Sequence, residues 1–157
     1  MKDQLRGQLQ STYEFFERST RSLTEEDSDF APSEGVFTVA GQVAHVAQTI
    51  EWFVDGAFRP EGFPMDFEAM DAKVRNVRSL SEARAWLERA VETTKKAIDA
   101  HSEEEWHEPL PDGPVFGGMP RAMIFGGIVD HSAHHRGALT VYARLRGKVP
   151  PMPYMEG

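Results

Sequence analysis

The sequence contains no cysteine. This absence excludes disulfide bonds, thiolate metal ligands and a cysteine nucleophile, and it is compatible with a reducing compartment. No stretch approaches the roughly 18 uninterrupted apolar residues that a membrane-spanning helix needs. The N-terminal sequence MKDQLRGQLQSTYEFFERS also lacks the apolar core of a signal peptide. We therefore expect a soluble cytoplasmic protein with no membrane partner.

Positive charge is also scarce. The 17 lysines and arginines face 25 acidic residues, which gives a formal net charge of −8. Nucleic-acid binding requires a basic patch that displaces the counterions of phosphates. The most basic segment, KVRNVRS from Lys73 to Ser79, is interpreted as a solvated turn. We therefore expect no nucleic-acid partner.

The length of 157 residues is typical of a single domain, predicted here to span residues 1–157. No alternating strand pattern of useful length is present, whereas apolar residues recur at helical spacing in four segments. The predicted fold class is all-α, a four-helix bundle with long crossover connections. The helices are predicted to run approximately from Lys2 to Leu23, from after Thr38 to Val54, from Ser79 to Ala100, and from Pro120 to Arg146.

The connection between the second and third helices is long for a compact domain. It includes the sequence GAFRPEGFPMDFEAMDAKVRNVR, which carries several phenylalanines and methionines. Such apolar content is too high for a solvated loop, so we expect this connection to lie back on the bundle, over a cleft.

The fourth helix carries three of the six histidines, in the segment DHSAHHRG. At 100° per residue, His135 lies only about 40° from His131, one turn further along the helix. Both positions are predicted in the middle of the core-facing stripe, and His134 at its edge. Two imidazoles at i and i+4 can reach one metal ion, but zinc and related metals take three or four ligands.

The second helix offers a third imidazole. His45 is predicted about 120° from the centre of that helix's apolar stripe, on a face shared with Gln42 and Trp52. His101 and His107 lie among acidic residues and are interpreted as surface residues. Spacing alone leaves two interpretations open, a metal site or buried histidines that are satisfied by hydrogen bonds.

The chain resembles the DinB-like family, which consists of damage-inducible four-helix proteins with a three-histidine metal site. The resemblance rests on TEEDSDFAPSEG, FTVAGQVAHVAQTIEWF, HSEEEW and, most specifically, DHSAHHRGALTVYARLRGKVPPMPY. It implies that His45, His131 and His135 are the metal ligands, the same three residues that helical spacing selects. Family members are often homodimers, so a homodimer is a further expectation.

Three imidazoles leave open coordination positions on a divalent metal, which is the mark of a catalytic site. Zinc is the expected ion, and nickel, iron or copper also suit imidazole ligands. Such a metal can activate water for attack on an ester or amide, or bind a substrate thiol as its thiolate.

The resemblance implies a metal-dependent transferase that uses a low-molecular-weight thiol with a small-molecule substrate. The alternatives are a metal-dependent hydrolase and a stress-associated metal-binding module without turnover. A bundle whose histidines are only structural is a further hypothesis. Gln42 and Trp52 are candidates for the pocket wall. Asp130 is a candidate acceptor that orients a ligand ring, and His134 is a candidate contact to the substrate.

Overall fold

A computed structural model describes residues 1–155 of the chain, and in these residues all regular secondary structure is helical. The last two residues of the predicted 1–157 domain lie outside the described part. The predicted all-α fold is confirmed. The helices are α1 (Lys2–Thr20), α2 (Val39–Phe58), α3 (Phe67–Arg75), α4 (Leu80–Ala100), α5 (Glu103–His107) and α6 (Ile124–Leu145).

The four long helices α1, α2, α4 and α6 form the bundle. Helix α2 packs on α4 and α6, and α1 packs on the same two helices from the other side. Helices α1 and α2 therefore occupy opposite corners of the bundle, as do α4 and α6. The chain must therefore cross the bundle between α1 and α2, and again between α4 and α6. These diagonal crossings explain the long connections at residues 21–38 and 101–123.

Helix starts follow the capping residues of the sequence. The Thr38 hydroxyl accepts a hydrogen bond from the Gly41 amide at 3.0 Å, and Ser79 accepts one from the Glu82 amide at 3.1 Å. These bonds satisfy amides that have no partner inside the helix. The long apolar side chains of all four bundle helices then meet in one continuous core.

Several predicted boundaries were wrong. Helix α1 ends at Thr20 rather than Leu23, and the chain then forms a short 3₁₀ turn at Glu25–Asp27. Helix α2 continues four residues beyond Val54, to Phe58. Pro120 precedes a 3₁₀ turn at Arg121–Met123, so α6 begins only at Ile124.

Helix α3 was not predicted. Its N-cap, Asp66, accepts a hydrogen bond from the Ala69 amide at 3.1 Å. Val74 is fully buried, and Val77 just after the helix is 8% exposed. The segment KVRNVRS is therefore not a solvated turn, because its two valines anchor the end of α3 to the bundle.

The connection around α3 lies against α2, as expected. The Trp52 indole N–H donates to the Pro64 carbonyl oxygen at 2.7 Å. The Phe63 ring rests directly on Gly56, where a Cβ atom would come within 2.2 Å of it. These contacts hold residues 59–66 close to the cleft side of α2.

The segment after α6 is fastened to the connection between α1 and α2. The Asp27 carboxylate is fully buried and accepts hydrogen bonds from Arg146 at 3.0 Å and from Lys148. Burial by itself opposes ionisation, but the bonds from Lys148, the Thr24 amide and Arg146 prevail and lower the pKa of Asp27 from 3.8 to about 2. An ionised carboxylate thus joins two segments far apart in sequence.

Within residues 1–155, no helix combines the length and the apolar character that crossing a membrane requires.

Candidate metal centre

The three predicted ligands come together where α2 faces α6. The Nε2 atoms of His45 and His131 lie 3.1 Å apart. The ring of His135 lies 4.8 Å from that of His45 and 4.4 Å from that of His131, measured between centroids. Each of the three residues has a ring nitrogen that lies within 4.8 Å of a ring nitrogen of both others.

The facing of α6 differs from the prediction. The buried face of this helix is centred near Leu139 and Ser132, which are 0% and 2% exposed. His131 and His135 lie at the margin of that face and are half-buried, rather than in its middle. This margin is where α6 meets α2, so the histidines border a cleft rather than fill the core.

Helix α2 also differs from a helix with a single apolar stripe. It is buried on most of its circumference, because α3, α4 and α6 all pack on it. Among residues 39–48, all of which the structure describes, His45 alone is half-buried rather than buried. The Phe37 ring lies beside it, with centroids 5.0 Å apart.

The environment keeps all three imidazoles neutral near pH 7. Burial is the main cause in each case, since it disfavours the charged form. It lowers the pKa of His45 below 6.5, that of His131 to about 4, and that of His135 to about 3. A neutral imidazole has a lone pair to donate, which is the form that binds metals.

A chain of hydrogen bonds sets the orientation of His135. The Tyr142 hydroxyl donates to the Phe37 carbonyl oxygen at 3.1 Å, so it accepts from the Gln42 side-chain NH₂ at 3.2 Å. The Gln42 carbonyl oxygen must then face His135, where it contacts Nδ1. That contact requires a proton on Nδ1, so His135 keeps its lone pair on Nε2.

This donor set fits a divalent metal. Two nitrogens bound to one tetrahedral zinc, at metal–nitrogen distances of 2.0–2.1 Å, lie about 3.3 Å apart. The observed separation of the His45 and His131 Nε2 atoms is close to that value. A hydrogen bond between these two rings would explain one contact, but it would not explain why a third neutral imidazole is held beside them by Gln42.

A cavity of about 340 Å³ opens beside the cluster, and we call it the aromatic compartment. His45 and His131 form one side of it. Thr49 lies next to them, with its hydroxyl 3.5 Å from the His131 Nε2 atom. The remaining lining residues are Phe37, Gln48, Trp52, Phe53, Phe67, Met70 and Asp71.

The other candidate residues divide into two groups. Gln42 contacts the cluster directly, and Trp52 lines the aromatic compartment. Asp130 and His134 are both exposed. The His134 ring lies 4.8 Å from that of His135, measured between centroids. In the described part of the chain, no hydrogen bond joins Asp130 to the three histidines.

Sequence reasoning missed the roles of Tyr142, Phe37 and Asp71. Helical spacing places Tyr142 on the same side of α6 as His131, but no pattern in the sequence connects it with Gln42, 100 residues away. His107 is exposed, as expected. His101 is not a simple surface residue, because its ring stacks on Phe58 with centroids 3.6 Å apart.

Solved structures share this fold at low sequence identity. A protein from Streptococcus pneumoniae is 16% identical and aligns with a TM-score of 0.70 over 91% of this chain and 90% of its own. YfiT from Bacillus subtilis, described as a probable metal-dependent hydrolase with an unusual four-helix bundle topology, is 17% identical, with a TM-score of 0.70 over 94% and 88%. A protein from Enterococcus faecalis is 17% identical, with a TM-score of 0.67 over 94% and 98%.

Comparison with curated protein sequences gives no match. The family model of the DinB superfamily, in contrast, matches residues 8–139, which is most of the chain. This span includes helix α2 with His45, and His131 and His135 of α6. The chain therefore belongs to the DinB superfamily.

Proposed function

We propose that this protein is a metal-dependent hydrolase that acts on a small molecule at the three-histidine cluster. The observation that supports this proposal is the convergence of three neutral imidazoles at the wall of a cavity large enough for a substrate. A divalent metal held by three imidazoles supplies Lewis acidity at its remaining coordination positions. YfiT, which shares the fold, is described as a probable metal-dependent hydrolase.

The residues around the cluster have distinct tasks in this proposal. His45, His131 and His135 hold the ion, and Gln42 fixes the orientation of the His135 ring. The Thr49 hydroxyl lies at the boundary between the cluster and the aromatic compartment, where it can donate a hydrogen bond to a substrate carbonyl. The aromatic walls exclude bulk water and so strengthen the electrostatic interactions at the cluster.

Zinc is the proposed ion, because three neutral nitrogen donors with open positions are typical of catalytic zinc sites. Nickel and iron are alternatives, since imidazole ligands suit both. Any of these ions would bind more weakly in acid, because protons compete for the same lone pairs.

Transfer of a low-molecular-weight thiol is a second candidate. The absence of cysteine favours it, because no thiol of the protein competes with a substrate thiol for the metal. Hydrolysis ranks first because, among the described residues that line the cavity, there is no lysine or arginine to bind the carboxylates that many such thiols carry. Homodimer formation and a cytoplasmic location remain predictions.

The test is an activity screen of protein produced without a nickel column and freed of metal by a chelator. The protein is reloaded with zinc, nickel or ferrous iron and assayed with uncharged esters and amides, and separately with thiols and a generic electrophile. We expect metal-dependent hydrolysis that His131→Ala abolishes. Thiol conjugation without hydrolysis would select the second candidate. Absence of both activities at full metal loading would favour a binding module without turnover.

A further inference from the structure

The wall of the aromatic compartment that faces away from the histidines is almost entirely apolar. The rings of Trp52, Phe53 and Phe67 and the Met70 side chain form it, and the Trp52 ring contacts the other two. The Trp52 ring lies 5.1 Å from that of Phe53 and 6.2 Å from that of Phe67, measured between centroids. A surface of this kind favours a flat apolar group over a polar one.

Most of this wall is fixed in place by neighbouring elements. The Phe53 ring packs against Gly127 of α6, where a Cβ atom would come within 2.6 Å of it. Trp52 is held by its hydrogen bond to Pro64. The Gln48 side chain donates to the Met70 carbonyl oxygen at 3.0 Å, which ties α3 to α2. The compartment is therefore formed before any substrate enters.

Away from the proposed metal, the compartment offers no cationic side chain among its described lining residues. Asp71 is the only charged side chain among those residues when the histidines are neutral. Asp71 is ion-paired with Arg75 at 2.6 Å. Arg75 also donates to the Gly35 carbonyl oxygen and packs on the Phe37 ring, so these contacts already engage its guanidinium group. A substrate carboxylate that pointed away from the proposed metal would lose its hydration here, and it would lie near Asp71 with no lysine or arginine partner among the described lining residues.

A neighbouring groove of about 410 Å³ is lined by more acidic than basic side chains. It shares Gln48, Trp52 and Met70 with the aromatic compartment. Its charged lining residues are three acids and one lysine, namely Glu51, Asp55, Asp66 and Lys73. An anionic molecule would thus meet negative potential in this groove.

We infer that the substrate is an uncharged molecule whose aromatic or similarly flat apolar group occupies the aromatic compartment while its reacting carbonyl group faces the histidines. The aromatic rings select the apolar group. Anionic groups are disfavoured there because the described lining residues include no lysine or arginine and do include the Asp71 carboxylate. This inference rests on the proposed function, because it places the reacting group at the metal. It goes beyond that function by naming the substrate class and the residues that select it.

The test uses three hydroxamates, which bind catalytic metals through the same two oxygen atoms and differ in the rest of the molecule. Binding to zinc-loaded protein is measured by calorimetry with acetohydroxamate, benzohydroxamate and para-carboxybenzohydroxamate. We expect benzohydroxamate to bind about tenfold more tightly than acetohydroxamate, since its ring is removed from water. The carboxylated probe should lose most of that advantage.

Two pairs of variants identify the residues responsible. Phe67 is 52% exposed, so Phe67→Ala can be made with little effect on folding. Phe67→Ala should selectively weaken the binding of benzohydroxamate. Met65→Ala, at a similarly exposed residue outside the compartment, should leave that binding unchanged.

A second pair of variants tests the acidic residue. Asp71→Asn should improve binding of the carboxylated probe severalfold. Glu68→Gln, which removes the same charge from an exposed position on α3, should leave that binding unchanged.

The outcomes separate the two proposals. Zinc-dependent binding of all three probes with equal affinity would overturn the assigned substrate class and leave the metal site intact. Failure of every probe to bind zinc-loaded protein would reject an open metal site, and the substrate class would be rejected with it. Tighter binding of the carboxylated probe than of benzohydroxamate would contradict the role of Asp71.

Discussion

The Gln42 side chain links Tyr142 to His135: it donates to the tyrosine hydroxyl at 3.2 Å and accepts from the imidazole Nδ1. Gln42 and Tyr142 are each 6% exposed, so water does not compete for these bonds. The proton on Nδ1 leaves the lone pair on Nε2, the nitrogen that points away from Gln42. A hydrogen-bond chain in the core thus prepares one ligand before any metal arrives.

Replacement of Gln42 should therefore weaken metal binding without removing a ligand. For Gln42→Leu we expect about a 10- to 100-fold loss of zinc affinity, the range typical of residues that orient metal ligands. The measurement is a zinc titration in competition with a chromophoric chelator. Gln48→Leu is the matched control, because Gln48 is equally buried on the same helix but bonds to Met70 instead of a histidine. Equal losses in both variants would contradict the orienting role of Gln42.

The two adjacent glycines of α6 should respond in opposite ways to alanine. A Cβ atom at Gly127 would come within 2.6 Å of the Phe53 ring and 3.2 Å of the Phe116 ring, and these packed rings cannot easily move. Gly127→Ala should therefore cost about 1–3 kcal/mol in the free energy of unfolding. A Cβ atom at Gly126 would meet nothing within 4 Å, so Gly126→Ala should add about 0.5 kcal/mol. Urea denaturation measures both, and equal effects would rule out the close approach at Gly127.

Asp27 should be a major contributor to stability. Asp27→Asn leaves Arg146 and Lys148 without their buried carboxylate, and we expect a loss of about 3 kcal/mol. Asp29→Asn is the control, because its pair with Arg78 is exposed to solvent and should contribute little to stability. Thermal and chemical denaturation measure the difference. A cost at Asp27 no larger than that at Asp29 would contradict the account of the buried pair.

Metal-free protein should lose stability in acid over a defined range. The histidine pKa values are lowered in the fold, to about 4 for His131 and about 3 for His135, from 6.5. The unfolded chain therefore takes up protons first, and the free energy of unfolding falls as the pH drops from about 6.5 towards these values. Asp27 adds a further loss between 3.8 and about 2. Denaturation curves measured at several pH values give the free energy of unfolding. Above pH 4 this free energy should decline less steeply with falling pH in His135→Asn than in the wild-type protein. An equal slope in both proteins would contradict the lowered pKa of His135.

Local signals in the sequence predicted the scaffold well. Thr38 and Ser79 mark helix starts because their hydroxyls replace backbone partners that are missing within the first turn, and this effect depends only on neighbours in sequence. Helix α3 was missed because glycine, proline and charged residues dominate its surroundings. What anchors it is the burial of Val74 against the bundle, which is a tertiary effect.

The candidate site was only partly predictable for the same reason. Helical spacing places His131 and His135 on one side of α6, since they are separated by a single turn. The exact margin of the buried face depends on where α1 and α2 pack, and the helix's own sequence does not determine that. The bonds of Gln42 to Tyr142 and His135 join residues 100 and 93 positions apart, so no local pattern reveals them.

The most direct test of the account is the zinc content of the chain, measured by mass spectrometry after loading and removal of free metal. Wild-type protein should retain one zinc per chain, and so should His134→Ala, which alters an exposed histidine beside the cluster. His45→Ala and His135→Ala should retain none at the same zinc concentration, because two imidazoles are too few for a stable site. Full zinc retention by His45→Ala, or none by the wild-type chain, would contradict a site shared between α2 and α6.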